Sequence, residues 1–169
     1  MADGEAGAPG AGLTSPNSFV RRMPVRFGDC DPAGIVFYPR YVEMFNNLVE
    51  DWCEFGLGCS MQHLIQVQKL GLPTANLQVD FIATSQWGEL LHAELSVLRL
   101  GTTSVTVSIH LRGPDHSQRV RAQLVLVLMD FASGRGTPLP EVLRTKMQQF
   151  LAQPAGNTER AGQSGAQDE

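Results

Sequence analysis

The chain has 169 residues, 43% of them hydrophobic and 18% charged, with a formal net charge of -4 and a pI near 5.5. That length supports one domain with a real core, and the acidic balance excludes a broad basic field for nucleic acid or membrane surfaces. No apolar run approaches the roughly 18 residues of a membrane-spanning helix.

Residues 1–18 are rich in Gly, Ala and Pro and lack the basic start and apolar core of a secretory signal. They read as a disordered tail, as do residues 153–169, because neither segment holds enough apolar surface to offset the entropy of ordering. The folded domain is expected over 19–152. Three cysteines, Cys30, Cys53 and Cys59, show no Cys-x-x-Cys pair. They read as free thiols in a reducing cytosol rather than as a disulfide framework or zinc knuckle.

Phe19 to Phe27 reads as a first strand, with Val20, Val25 and Phe27 as its apolar members and Pro24 marking an edge position or a bulge. A loop rich in Gly, Pro and Asp follows. A helix starts near Pro39, because proline suits the first helical turn. Tyr41, Phe45, Leu48, Trp52 and Phe55 recur at steps of four and three, and Val42, Val49 and Cys53 widen that stripe. A helix apolar around most of its girth is expected to be buried. Gly56 and Gly58 end it. Ser60 caps a short second helix reaching Lys69, and Gly71-Leu72-Pro73 reads as a turn.

Beyond Pro73 the period changes to two. Leu77, Val79, Phe81 and Ala83 alternate with polar residues in one strand. Leu91, Ala93, Leu95 and Val97 mark a second, over Glu89 to Leu100, and Val105, Val107, Ile109 and Leu111 a third, over Ser104 to Arg112. Arg119 to Phe131 reads as a long strand, apolar on both faces at Leu124 to Met129 and so placed inside the sheet. Pro140 to Leu151 ends the domain as a helix. Short Gly-containing connections imply antiparallel neighbours. The fold class is therefore α+β, with one antiparallel sheet curled around one long apolar helix.

The chemistry concentrates in Phe27-Gly28-Asp29-Cys30-Asp31-Pro32-Ala33-Gly34-Ile35-Val36-Phe37-Tyr38-Pro39. Two readings of Asp31 stand on spacing: a turn cap, which spacing alone favours, or a carboxylate acting as nucleophile or general base. The Tyr38 amide lies at a helix start, where N–H groups lack intrahelical partners and the dipole favours negative charge. Either water satisfies it, or a carbonyl oxygen does as charge develops there. Cys30 is a poor nucleophile between two acids, which raise a thiol pKa. His63, His92, His110 and His116 have no metal-ligand spacing, and no metal or cofactor is expected.

This loop closely resembles the active-site loop of the 4-hydroxybenzoyl-CoA thioesterase family. The resemblance implies the hotdog fold over roughly Phe19 to Leu151, with Asp31 in the place of the catalytic carboxylate. It implies that the Tyr38 amide polarises the thioester carbonyl. It also implies homodimers or homotetramers with active sites at subunit interfaces, and an acyl-CoA partner. Where relatives carry a basic cluster for the nucleotide phosphates, this chain has one arginine, Arg99. The expected function is hydrolysis of an aromatic acyl-CoA. A short aliphatic acyl-CoA thioesterase and a non-catalytic acyl-thioester-binding module are the alternatives. A hydratase is disfavoured because no histidine lies near Asp31 in sequence.

Overall fold

A computed structural model describes residues 17–152; residues 1–16 and 153–169, within the two expected tails, lie outside the described residues. The period-two segments become strands with one dry face. In β4 (Leu90–Leu100) the side chains of Leu91, Ala93, Leu95 and Val97 expose nothing, and in β5 (Ser104–Arg112) the same holds for Val105, Val107, Ile109 and Leu111. β6 (Gln118–Val127) buries Val120, Ala122, Leu124 and Leu126 on that face.

These three strands form an antiparallel meander. β1 (Phe19–Pro24) flanks it on one side and β3 (Thr74–Phe81) on the other, giving a five-stranded order β1-β4-β5-β6-β3. Pro24 therefore sits on an edge strand, where its missing N–H breaks no inner ladder. β6 lies inside the sheet but has one dry face; its other face carries exposed Arg121 and Gln123 and half-buried Val125 and Val127, and the strand expected to reach Phe131 ends at Val127. The two-residue strands β2 (Leu70–Gly71), β7 (Met129–Asp130) and β8 (Arg135–Gly136) form a small second sheet. β2 occupies part of the segment expected as a turn.

The long helix α1 (Tyr38–Asp51) lies against the dry face of the large sheet. It buries Tyr41, Met44, Phe45, Leu48 and Val49 in one cluster with the strand residues. Two members of the expected stripe differ. Val42 is 41% exposed and Phe55 is 66% exposed. The helix widens to a π-helical turn over Trp52–Gly56, so one extra residue per turn rotates Phe55 off the buried face. Phe55 instead lies under the Arg21 guanidinium, 4.5 Å from its ring centroid.

Ser60 is a genuine cap: its Oγ accepts the His63 N–H at 3.1 Å at the start of α2 (Met61–His63). A further π-helical turn, Leu64–Gln68, continues α2 up to Lys69, which adopts φ 58°. The final helix α3 (Glu141–Gln148) buries Leu143 and Met147. Phe150 beyond it meets Phe19 and Trp52 edge-on, at 6.3 and 5.9 Å between centroids. No helix among the described residues is long and apolar enough to cross a membrane.

Candidate active site

The loop between β1 and α1 departs from the expected strand at its first residue. Phe27 opens a 3-10 turn, Phe27–Asp29, rather than ending β1, and 77% of its surface is exposed. Asp29 holds that turn together: its Oδ2 accepts the Arg26 N–H at 2.7 Å, and its carbonyl accepts the Phe37 N–H at 2.9 Å. Asp29 is thus occupied by the backbone on both counts.

Asp31 is half-buried. Its Oδ1 accepts the Ala33 N–H at 2.8 Å, an Asx turn. The turn-cap reading therefore holds for one oxygen. The other, Oδ2, accepts no hydrogen bond among the described residues. Its backbone joins a tight ring, donating to the Ile35 carbonyl and accepting from the Gly34 N–H. Gly34 adopts φ +76°, a left-handed conformation that glycine reaches without the Cβ penalty. No atom lies within 4 Å of a Cβ built there, so only backbone strain opposes a side chain. Gly34→Ala is expected to cost about 1–2 kcal/mol in urea unfolding, and to lower turnover by disturbing the Asp31 turn. A variant as stable and as active as the parent would refute this.

Phe37 caps α1 and Pro39 follows at the second helical position. Pro39 has no N–H, and the Arg40 N–H turns back to the Phe37 carbonyl at 2.8 Å. The Tyr38 N–H meets no acceptor among the described residues. It is thus a donor at the positive end of a 14-residue helix. Asp31 and this amide both belong to the segment that leads from β1 into α1.

A second segment completes the site, and the sequence reading missed it. Residues 82–88 run between β3 and β4 and clasp the acidic loop. The Val36 N–H donates to the Ser85 carbonyl at 2.9 Å, the Trp87 N–H to the Gly34 carbonyl at 3.2 Å, and Ile35 bridges Gln86. Trp87, 64% exposed, meets Phe27 edge-on at 5.6 Å between centroids. Together with Asp31, Cys30 and Gly34 they line an open cleft of ≈ 410 Å³. The legible signal was a tryptophan among Ser85, Gln86, Gly88 and Glu89, outside any apolar period.

A smaller, more enclosed cavity of ≈ 130 Å³ lies along α1, starting one turn past Tyr38. Val42, Phe45, Val49, Leu72 and Leu77 line it, and Asn46 and Thr74 are its polar members.

Cys30 sits in the cleft, and burial followed by the charges of Asp29 and Asp31 pushes its thiol up. It is thereby kept in the weakly nucleophilic thiol form. Burial drives Cys53 to about 12. Burial likewise raises the Tyr41 hydroxyl, so it stays neutral beneath the helix start.

Arg99 is placed elsewhere. It lies beside a bulge near the far end of β4, whereas Trp87 precedes the near end. The nine residues from Leu90 to Arg99 span about 30 Å of strand. One subunit does not bring Arg99 to Asp31.

An antiparallel sheet wrapped around one long helix is the architecture of the hotdog-fold thioester hydrolases. A sequence profile described as the Thioesterase-like superfamily matches residues 25–147, and the chain belongs to that superfamily. It is 24% identical over 129 residues to a 1,4-dihydroxy-2-naphthoyl-CoA hydrolase of Synechocystis sp., covering 76% of this chain and 93% of the relative. It is 27% identical over 81 residues to a 4-hydroxybenzoyl-CoA thioesterase of Pseudomonas sp., covering 47% of this chain and 57% of the relative. Among solved structures it resembles a gentisyl-coenzyme A thioesterase, with a TM-score of 0.69 and 25% identity over 76% of this chain and 99% of the other.

Proposed function

We propose that the protein hydrolyses an aromatic acyl-CoA to the free acid and CoA, with Asp31 and the Tyr38 amide as its working groups. The observations that carry this are an Asp31 Oδ2 that accepts no hydrogen bond and a Tyr38 N–H that meets no acceptor, both among the described residues and both in the segment leading into α1. The thioester carbonyl oxygen accepts from the Tyr38 amide. As the carbonyl carbon becomes tetrahedral, negative charge grows on that oxygen, and the helix end stabilises it.

Two routes use Asp31. As nucleophile, its carboxylate adds to the carbonyl carbon, the carbon–sulfur bond breaks, and CoA leaves as thiolate. Water then cleaves the mixed anhydride and restores the carboxylate. As general base, Asp31 takes a proton from water, which adds to the carbon, and the proton passes on to the leaving sulfur.

The aromatic acyl group is supported from two sides. The matched relatives and the structural neighbour are named for naphthoyl, benzoyl and gentisyl thioesters. The cavity beside α1, ≈ 130 Å³ and lined mainly by apolar side chains, approaches the roughly 150 Å³ that takes up benzene in an engineered protein core. Asn46 and Thr74 at that cavity suit a ring hydroxyl. The three free cysteines support a reducing, cytosolic setting.

The sheet supports the proposed assembly. β3 is an edge strand with a mostly exposed pattern. Pairing of two β3 edges would join two sheets into a dimer, and dimers would pair into tetramers. A neighbouring subunit would then complete the site. Arg99 meets the CoA phosphates only in a site completed in this way.

The test is a panel of 4-hydroxybenzoyl-, benzoyl- and butyryl-CoA with detection of free thiol. Aromatic substrates are expected to give the higher kcat/KM. Faster butyryl-CoA hydrolysis would favour the aliphatic reading, and no turnover would favour a binding module. Light scattering should give a multiple of the 18.4 kDa chain mass; a monomer at micromolar concentration would remove the interface site.

A further inference from the structure

We propose that Phe27 and Trp87 hold the thiol-side arm of the substrate, the neutral chain of amides and methylenes next to the sulfur. The inference rests on the thioesterase reading and extends it to a site contact. A thioester fixed at the Tyr38 amide sends out two arms. The more enclosed cavity along α1 takes the acyl arm, so the other arm leaves over the more open cleft that Asp31 shares with Phe27 and Trp87.

The cleft suits such a chain. It is open, as a chain continuing into solvent requires. Two large aromatic side chains stand 77% and 64% exposed at its wall and touch each other, an apolar patch for a ligand to cover. Their edge-to-face contact at 5.6 Å leaves ring faces free to pack against methylenes and flat amides. Among the described residues the ionisable side chains lining it are Asp31 and Cys30, with no cation, so it fits a neutral segment rather than phosphates. The wall is held in place before binding. The Trp87 N–H is bonded to Gly34, and the Gly88 N–H donates to the Val25 carbonyl at 3.0 Å. Gly88 itself turns at φ +87°. A contact surface fixed in advance loses less entropy on binding.

The chain supplies its own probe. It has two tryptophans, and Trp52 is fully buried, so iodide in solution reaches Trp87 alone. Saturating CoA is expected to shield Trp87 from iodide. Trp87→Leu is expected to lower kcat/KM about tenfold, and by the same factor within about twofold, for 4-hydroxybenzoyl-CoA and butyryl-CoA. Trp87→Phe should recover most of that loss, and buried Trp52 emission reports that Trp87→Leu still folds.

Three results would overturn the proposal: unchanged iodide quenching with CoA bound, unchanged kcat/KM in Trp87→Leu, or a shift of more than about fivefold in the aromatic-to-aliphatic ratio. The last would assign the rings to the acyl group. If the wild-type protein cleaves no thioester while CoA still shields Trp87, the thioesterase reading fails and the carrier-arm contact stands.

Discussion

Asp31→Asn is expected to lower kcat by about a thousandfold, within the range seen when a positioned acid–base group is removed, with KM near the parent value. Asparagine keeps the side-chain oxygen that accepts the Ala33 N–H. The Asx turn, and with it the loop, therefore survives the change. What disappears is the carboxylate charge at Oδ2, which under the proposed function attacks the carbonyl or takes a proton from water. A fall in kcat with unchanged circular dichroism and unchanged CoA affinity separates this from misfolding. A variant within about tenfold of the parent would place the reaction elsewhere. Oxygen-18 from labelled water, followed in a single turnover, tests the nucleophilic route: incorporation into Asp31 marks the mixed anhydride opened at the aspartyl carbonyl.

Trp52→Ala is expected to cost about 3–5 kcal/mol of unfolding free energy, the range for removing a buried large aromatic. Trp52 exposes none of its surface and packs edge-on against Phe150 at 5.9 Å. It stands where α1 widens, so its loss leaves a cavity between the helix end and the C-terminal segment. Total stability of a small domain is about 5–15 kcal/mol, so the variant should unfold at much lower urea. Its indole N–H has no hydrogen-bond partner among the described residues. Both substitutions remove that unpaired donor, so Trp52→Phe should cost much less because phenylalanine leaves the smaller cavity. Equal losses in both variants would show that cavity volume does not govern the site.

The strands and the long helix were legible because burial imposes a period. Val105, Val107, Ile109 and Leu111 alternate in sequence, and all four are dry. Tyr41, Phe45, Leu48 and Trp52 step by three and four, and all are buried. Phe55 fits the same rule yet faces solvent, because periodicity assumes 3.6 residues per turn and the π-helical turn breaks that assumption. Phe27 continued an apolar pattern but opened a turn, since the Asp29 carboxylate offers its Arg26 amide a local partner. The acidic loop stood out through its unusual composition. The wall facing it did not, because Trp87 lies 56 positions after Asp31, and only backbone bonds between Val36 and Ser85 and between Trp87 and Gly34 bring them together. Such pairings leave no periodic trace.

The edge strand β3 has a consequence beyond assembly. Edge strands are usually guarded against sticking to strangers by lysine, proline or a bulge within the strand. β3 reads Thr-Ala-Asn-Leu-Gln-Val-Asp-Phe, and its one charge, Asp80, is matched by Arg121 on the neighbouring strand at 2.7 Å. Pro73 precedes the strand, and the irregularity in its pairing falls at its first residues, Thr74 and Asn76, leaving the run from Leu77 to Phe81 straight. A lone subunit thus presents a row of unsatisfied backbone groups able to template strand addition by any extended chain. Keeping that row covered is a matter of solubility for this protein, independent of whether its active site is ever used.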